Sequence, residues 1–183
     1  MGILWHELQV LPRFERIVEV DLERKGYEVF APKYALRRGV SPELSLSLPL
    51  FPGRVFCRFD AHSKVHVLLT PGVIRIAGVG QTPSGDSEIN TLRRLLTVGL
   101  SVRPAGHMPE GDETYFASGA LKGIAGFVVR TADQNRVTFS VPLKMGAVSV
   151  EIERDWIGRE YRIVRDKSIA PWRTILGPAE PSG

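Results

Sequence analysis

Two histidines four residues apart, His62 and His66, are the first residues in this chain whose spacing suits chemistry, since one helical turn could carry both imidazoles to a metal ion. No acidic or cysteine partner stands out beside them, and His6 and His107 lie far off in sequence, so a solvated or packed pair is expected. Gly78-Val-Gly80 supplies two glycines of a dinucleotide-binding turn but lacks the third and the helix start that follows it. Cys57, the single cysteine, sits in an apolar run and reads as a small buried side chain. Alone it makes neither an internal disulfide nor a paired-cysteine zinc site, and it fits a reducing compartment. These residues argue against an enzyme, a metal centre or a cofactor.

Recognition chemistry remains. Gly111-Asp-Glu-Thr-Tyr-Phe-Ala-Ser-Gly119-Ala-Leu-Lys-Gly123-Ile-Ala-Gly126-Phe-Val-Val sets glycines around two short apolar runs, with Lys122 at the turn. The spacing of Gly119, Gly123 and Gly126 is compatible with a helix, but each glycine would weaken one by roughly 1 kcal/mol. A strand, glycine loop, strand reading follows. The basic pairs Arg24-Lys25 and Arg37-Arg38 suit either a polyanion or solvent.

These residues need elements to position them. A length of 183 residues fits one ordinary domain or two small ones, and 43% hydrophobic with 24% charged residues is the balance of a globular chain. No apolar run approaches the ~20 residues that span a bilayer, and the first residues lack a signal-peptide pattern, so a cytoplasmic location is expected. The net charge is +4, with 13 Lys and Arg against 10 Asp and Glu in residues 1–100 and 11 against 10 beyond. Neither part is a strong electrostatic nucleic-acid binder by that measure.

Residues 4–10 read as a strand. Pro12 suits a first helical position, and Phe14, Ile17, Val18 and Leu22 recur at helical spacing until Gly26. A strand is expected at 27–32, a loop or hairpin at 33–48 and a strand at 54–60. A short helix at 61–69 stops at Thr70-Pro71-Gly72, and a strand follows at 73–79. A helix begins at Ser84 or Asp86 and runs to about Gly99, with Ile89, Leu92 and Leu96 on one face. From Gly111 to Ile157 the pattern is short β segments, and a module of about 50 residues gains stability by closing its sheet into a small barrel. The expected division is a first domain over 1–100, a linker at 101–109, a second domain over 110–157 and a tail at 158–183.

The glycine stretch at 111–129 resembles a KOW module. Taken with Trp5, Pro12-Arg13-Phe14-Glu15, Leu22-Glu23-Arg24-Lys25-Gly26-Tyr27-Glu28-Val29-Phe30-Ala31-Pro32, Pro49-Leu50-Phe51-Pro52-Gly53-Arg54-Val55-Phe56 and Thr70-Pro71-Gly72-Val73, it gives the chain a wider likeness. Over about residues 3–157 the series resembles the NusG family of transcription elongation factors, and in detail its specialised paralogs of the RfaH and UpxY kinds. The resemblance implies an α+β fold: an NGN domain with an antiparallel sheet and flanking helices, followed by an SH3-like KOW β-barrel. It implies a non-enzymatic elongation and antitermination factor that binds the clamp helices of RNA polymerase and suppresses pausing or termination, on specific operons where the paralog likeness holds.

Within that resemblance, Phe51, Arg54, Val55 and Thr70 are expected at RNA polymerase. Phe51 is the preferred contact, because strand alternation sends Val55 or Phe56 inward. Arg54 stands where the family usually has tyrosine. Thr70 matches a loop position near the cleft and the non-template DNA strand, although Leu69 departs from the polar residue often found there. Arg24 and Lys25 fall where RfaH-like paralogs touch DNA, and equally offset the dipole at a helix end. Arg37 and Arg38 either touch nucleic acid or solubilise a loop. Leu143, Lys144 and Met145 lie where general elongation factors bind a ribosomal protein or a termination factor. Lys144 departs from the apolar or aromatic residue expected there and weighs against that coupling. Strand-favouring runs at 137–141 and 148–152 weigh against refolding of the barrel into a helical hairpin. The alternative is a KOW-containing RNA-binding or ribosome-associated protein, which calls for a densely basic barrel; here Lys122, Arg130, Arg136, Lys144 and Arg154 are opposed by Asp112, Glu113, Asp133, Glu151, Glu153 and Asp155. A monomer without membrane association or cofactor is expected.

Overall fold

Leu8 and Val10 alternate with Glu7 and Gln9, which gives the first strand one apolar and one polar face and fixes it as β1 (Leu4–Val10). The computed structural model of the chain describes residues 2–37, 45–77, 84–105, 112–129, 136–143, 146–157 and 163–165. It divides into two compact units, residues 1–92 and 93–183.

In the first unit β1 is followed by α1 (Glu15–Arg24), β2 (Glu28–Phe30), β3 (Lys33–Arg37), β4 (Ser45–Pro49), β5 (Arg54–Phe59), α2 (Lys64–Leu68) and β6 (Val73–Ala77). A four-stranded antiparallel sheet has the order β2-β5-β1-β6, and β3 and β4 form a separate hairpin. The register sets Leu8 opposite Val55 and His6 opposite Cys57. Those positions share the face on which α1 lays Val18 and Leu22, with Val67 of α2 in the same core. Each such side chain stabilises the fold by about 1.5–3 kcal/mol when fully buried. The alternate position in β5, Phe56, meets Phe30 at 6.4 Å and Phe51 at 6.1 Å between ring centroids.

The helix does not begin at Pro12. Pro12 and Arg13 form a turn, closed by a hydrogen bond from Phe14 N–H to the Leu11 carbonyl, and α1 starts at Glu15. Arg13 has φ of 70°, the only positive value outside glycine among the described residues. Tertiary contact overrides the local preference: Leu11 N–H donates to the Gly72 carbonyl at 2.8 Å, and a Cβ on Gly72 would lie 2.6 Å from the Phe14 ring.

Next comes α3 (Ser84–Thr97), where Ile89, Leu92 and Leu95, rather than Leu96, are the buried apolar residues among those described, beside the buried Glu88. The second unit contains β7 (Ser101–Ala105), β8 (Asp112–Phe116), β9 (Ala125–Val129), β10 (Arg136–Leu143), β11 (Gly146–Glu153) and β12 (Ile163–Arg165). They form one sheet in the order β12-β8-β9-β10-β11-β7. Residues 101–105, read as linker, are therefore a strand paired with β11, and the tail contributes β12 against β8. Ladder partners far along the chain supply this order, and neither strand has a strong local pattern. The described pairings make a six-stranded sheet with β12 and β7 at its two ends. Phe116 and Phe139 pack at 4.5 Å in its core. Gly126 is required there, since a Cβ would lie 2.1 Å from the Ser140 carbonyl oxygen.

Candidate functional site

The loop between β4 and β5 is fixed from three sides. Leu50 N–H donates to the Pro32 carbonyl at 2.8 Å, Val10 N–H to the Gly53 carbonyl at 2.9 Å, and Gly53 N–H to the buried Glu15 carboxylate at 2.7 Å. Gly53 takes φ of 73°, the left-handed value that its turn needs. Glu15 thus serves a tertiary contact, although its spacing from Glu19 and Glu23 suggests a solvated acidic stripe.

This anchoring sets the side chains differently from the sequence expectation. Phe51, expected at a partner surface, is only 8% exposed, with its ring edge-on to Phe56. Val55 and Phe56 are both buried, because the sheet is covered on both faces at this point. Arg54 is exposed at the start of β5, and its Nε lies 3.3 Å from Glu7 Oε1. Thr70 is also buried: its hydroxyl accepts from Lys25 Nζ at 2.7 Å and donates to the His66 carbonyl at 3.4 Å. Lys25 also pairs with Asp21 at 3.1 Å. Of the expected set, Arg54, Arg24 and Lys25 are exposed, the last with its ammonium held by Asp21 and Thr70. Leu143 is buried in the second unit, the side chain of Arg37 is outside the description, and Arg38, Lys144 and Met145 lie outside the described residues.

Sequence reading missed a groove on the outer side of α1. Arg13, Arg16, Ile17, Val20, Asp21, Arg24 and Pro71 line an open depression of about 630 Å³. Ile17, one of its apolar lining residues, is 53% exposed. Among the described residues no carboxylate pairs with Arg13, Arg16 or Arg24, whereas Arg54, Arg58 and Arg136 each have an acidic partner. The signal was present: positions 13, 16, 17, 20 and 24 recur at three- and four-residue spacing, opposite the buried Glu15, Val18 and Leu22. Guanidinium groups beside apolar lining residues suit a ligand that combines anionic and flat apolar parts.

The titratable groups elsewhere carry no catalytic arrangement. Burial pushes the Cys57 thiol up to about 12, which keeps it protonated and unreactive. Desolvation holds His6 below its ordinary value, with its ring stacked on Phe59 at 4.0 Å. Ser63 donates to Asp60 through its backbone N–H and keeps that carboxyl below its usual range. No group of three or more histidine, cysteine or acidic residues among the described residues could hold a metal ion.

The fold around this groove has a known counterpart. Residues 4–93 match the family model described as transcription termination factor nusG. The N-terminal domain is that of a NusG-family transcription factor. Proteins of this family partner with RNA polymerase and are not enzymes. The NusG-family fold has a solved likeness in the structure titled "Domain interaction in Thermotoga maritima NusG", at 19% identity and a TM-score of 0.52, covering 84% of this chain and 94% of that one. The structure titled "Crystal Structure of MjSpt4:Spt5 complex conformation B" is matched at 16% identity over 88% of this chain and 97% of that one, with a TM-score of 0.29. No curated protein matches the chain. No helix among the described residues is long and apolar enough to cross a membrane.

Proposed function

We propose that this NusG-family protein is a transcription elongation and antitermination factor of the specialised, RfaH-like or UpxY-like kind, which binds the clamp helices of RNA polymerase and suppresses pausing or termination. The observation that carries the reading is the NusG-family domain over residues 4–93 together with the arginines of the α1 groove, which have no carboxylate partner among the described residues. In this reading Arg54 supplies the polymerase contact, and Phe51 and Val55 shape its platform from beneath. The groove of Arg13, Arg16 and Arg24 takes the non-template DNA strand, with phosphates on the guanidinium groups and a base on Ile17 and Pro71. The 101–109 segment gives way to a KOW barrel built on the second unit's sheet. Lys144 weighs against a ribosomal protein or termination factor as the barrel's partner.

The mechanism is a population shift. A ligand that prefers the closed clamp lowers pausing in proportion to its differential affinity for that state. Co-purification of the full chain with polymerase core, followed by a pausing assay with and without operon leader DNA, tests it. Binding with leader-dependent loss of pausing is expected; a chain that leaves the polymerase unbound overturns the reading.

A further inference from the structure

Lys25 sits at the end of α1 but is not among the residues that line the groove. Its ammonium is held 2.7 Å from the buried Thr70 hydroxyl and 3.1 Å from Asp21 Oδ2. Asp21 does line the groove, as the one acidic side chain in a wall otherwise made of arginines and apolar groups. An uncompensated carboxylate there would repel an anionic ligand and compete for the guanidinium groups of Arg24 and Arg13.

We infer that Lys25 is a positioning residue that neutralises Asp21, so that the arginines remain available to a single-stranded nucleic acid, without touching the ligand itself. The inference rests on the groove being the nucleic-acid site. Thr70 has a matching part. Being only 2% exposed, it has no face for a partner, and its hydroxyl holds the Lys25 ammonium beside Asp21. A lysine that met phosphates directly would instead present an ammonium free of both anchors.

The two roles separate in a double-variant cycle read by fluorescence anisotropy of a short labelled oligothymidylate at low salt. Lys25→Met should weaken binding about fivefold, and the deficit should shrink as salt is added. Asp21→Asn in the same chain should restore wild-type affinity. Glu23→Asn, which removes an exposed carboxylate outside the groove lining, should not restore it. Asp21→Asn alone should bind at least as tightly as the wild type, a result that does not depend on Lys25→Met folding well. A double variant as weak as Lys25→Met, or equal rescue by Glu23→Asn, overturns the positioning role while leaving the groove as the site. A wild-type chain with no affinity for the oligonucleotide overturns the groove assignment and this inference together.

Discussion

A single buried carboxylate, Glu15, holds the turn that places Arg54, through its 2.7 Å bond from Gly53 N–H. Glu15→Ala leaves that partly buried donor without its carboxylate, and a urea titration should report a loss of about 1 kcal/mol. His6 adds a pH term. Its folded value lies below the ordinary 6.5 because burial disfavours the imidazolium, so the unfolded chain takes the proton first. Its contribution is fully present above the unfolded value, begins to be lost as pH falls through about 6.5, and is gone below the folded value. The urea midpoint should drop over that window in the wild type, and His6→Leu should flatten this component. None of this was legible from residue type alone. Glu15 reads as one of three stacked acids, and the side chain that answers it lies in a turn 38 residues later.

At the scale of the element, α1 carries two surfaces with separate duties. Val18 and Leu22 enter the core, while Arg16, Ile17, Val20 and Arg24 face the groove. Leu22→Ala should destabilise the first unit by about 2–5 kcal/mol, since it opens a cavity in a fully buried site. Arg16→Ala should change stability by no more than about 0.5 kcal/mol while weakening oligonucleotide binding, and thermal melts beside anisotropy separate the two. Helical periodicity made the inner surface readable, and β1 was expected as a strand, whereas residues 33–48 read only as a loop or hairpin and contain the paired strands β3 and β4. The groove was not readable as a site, because Arg13 reaches it through a left-handed turn and Pro71 through a loop fixed on Leu11. Both depend on contacts that local pattern does not encode. Phe51 illustrates the converse: an aromatic between Pro49 and Pro52 looked like a surface anchor, and the turn folded it inward against Phe56.

Across the whole molecule, the order of elements and the family of the first domain were legible because motif residues recur in sequence order through residues 4–93. The membership of the second sheet was not. β7 and β12 join it by pairing with strands β11 and β8, more than 40 residues away, and such partners leave little trace in the short segments themselves. Gly126→Ala should destabilise the second unit by about 3 kcal/mol, the upper range for overpacking, because a backbone oxygen blocks the new methyl. Calorimetry would register that loss. The functional account stands on the first unit holding RNA polymerase through the exposed guanidinium of Arg54. The most direct measurement is a titration of polymerase core with the wild-type chain and with Arg54→Ala, each checked for an unchanged melting curve. The account predicts saturable binding by the wild type and about tenfold weaker binding by the variant; no binding by the wild type, or equal binding by both, would contradict it.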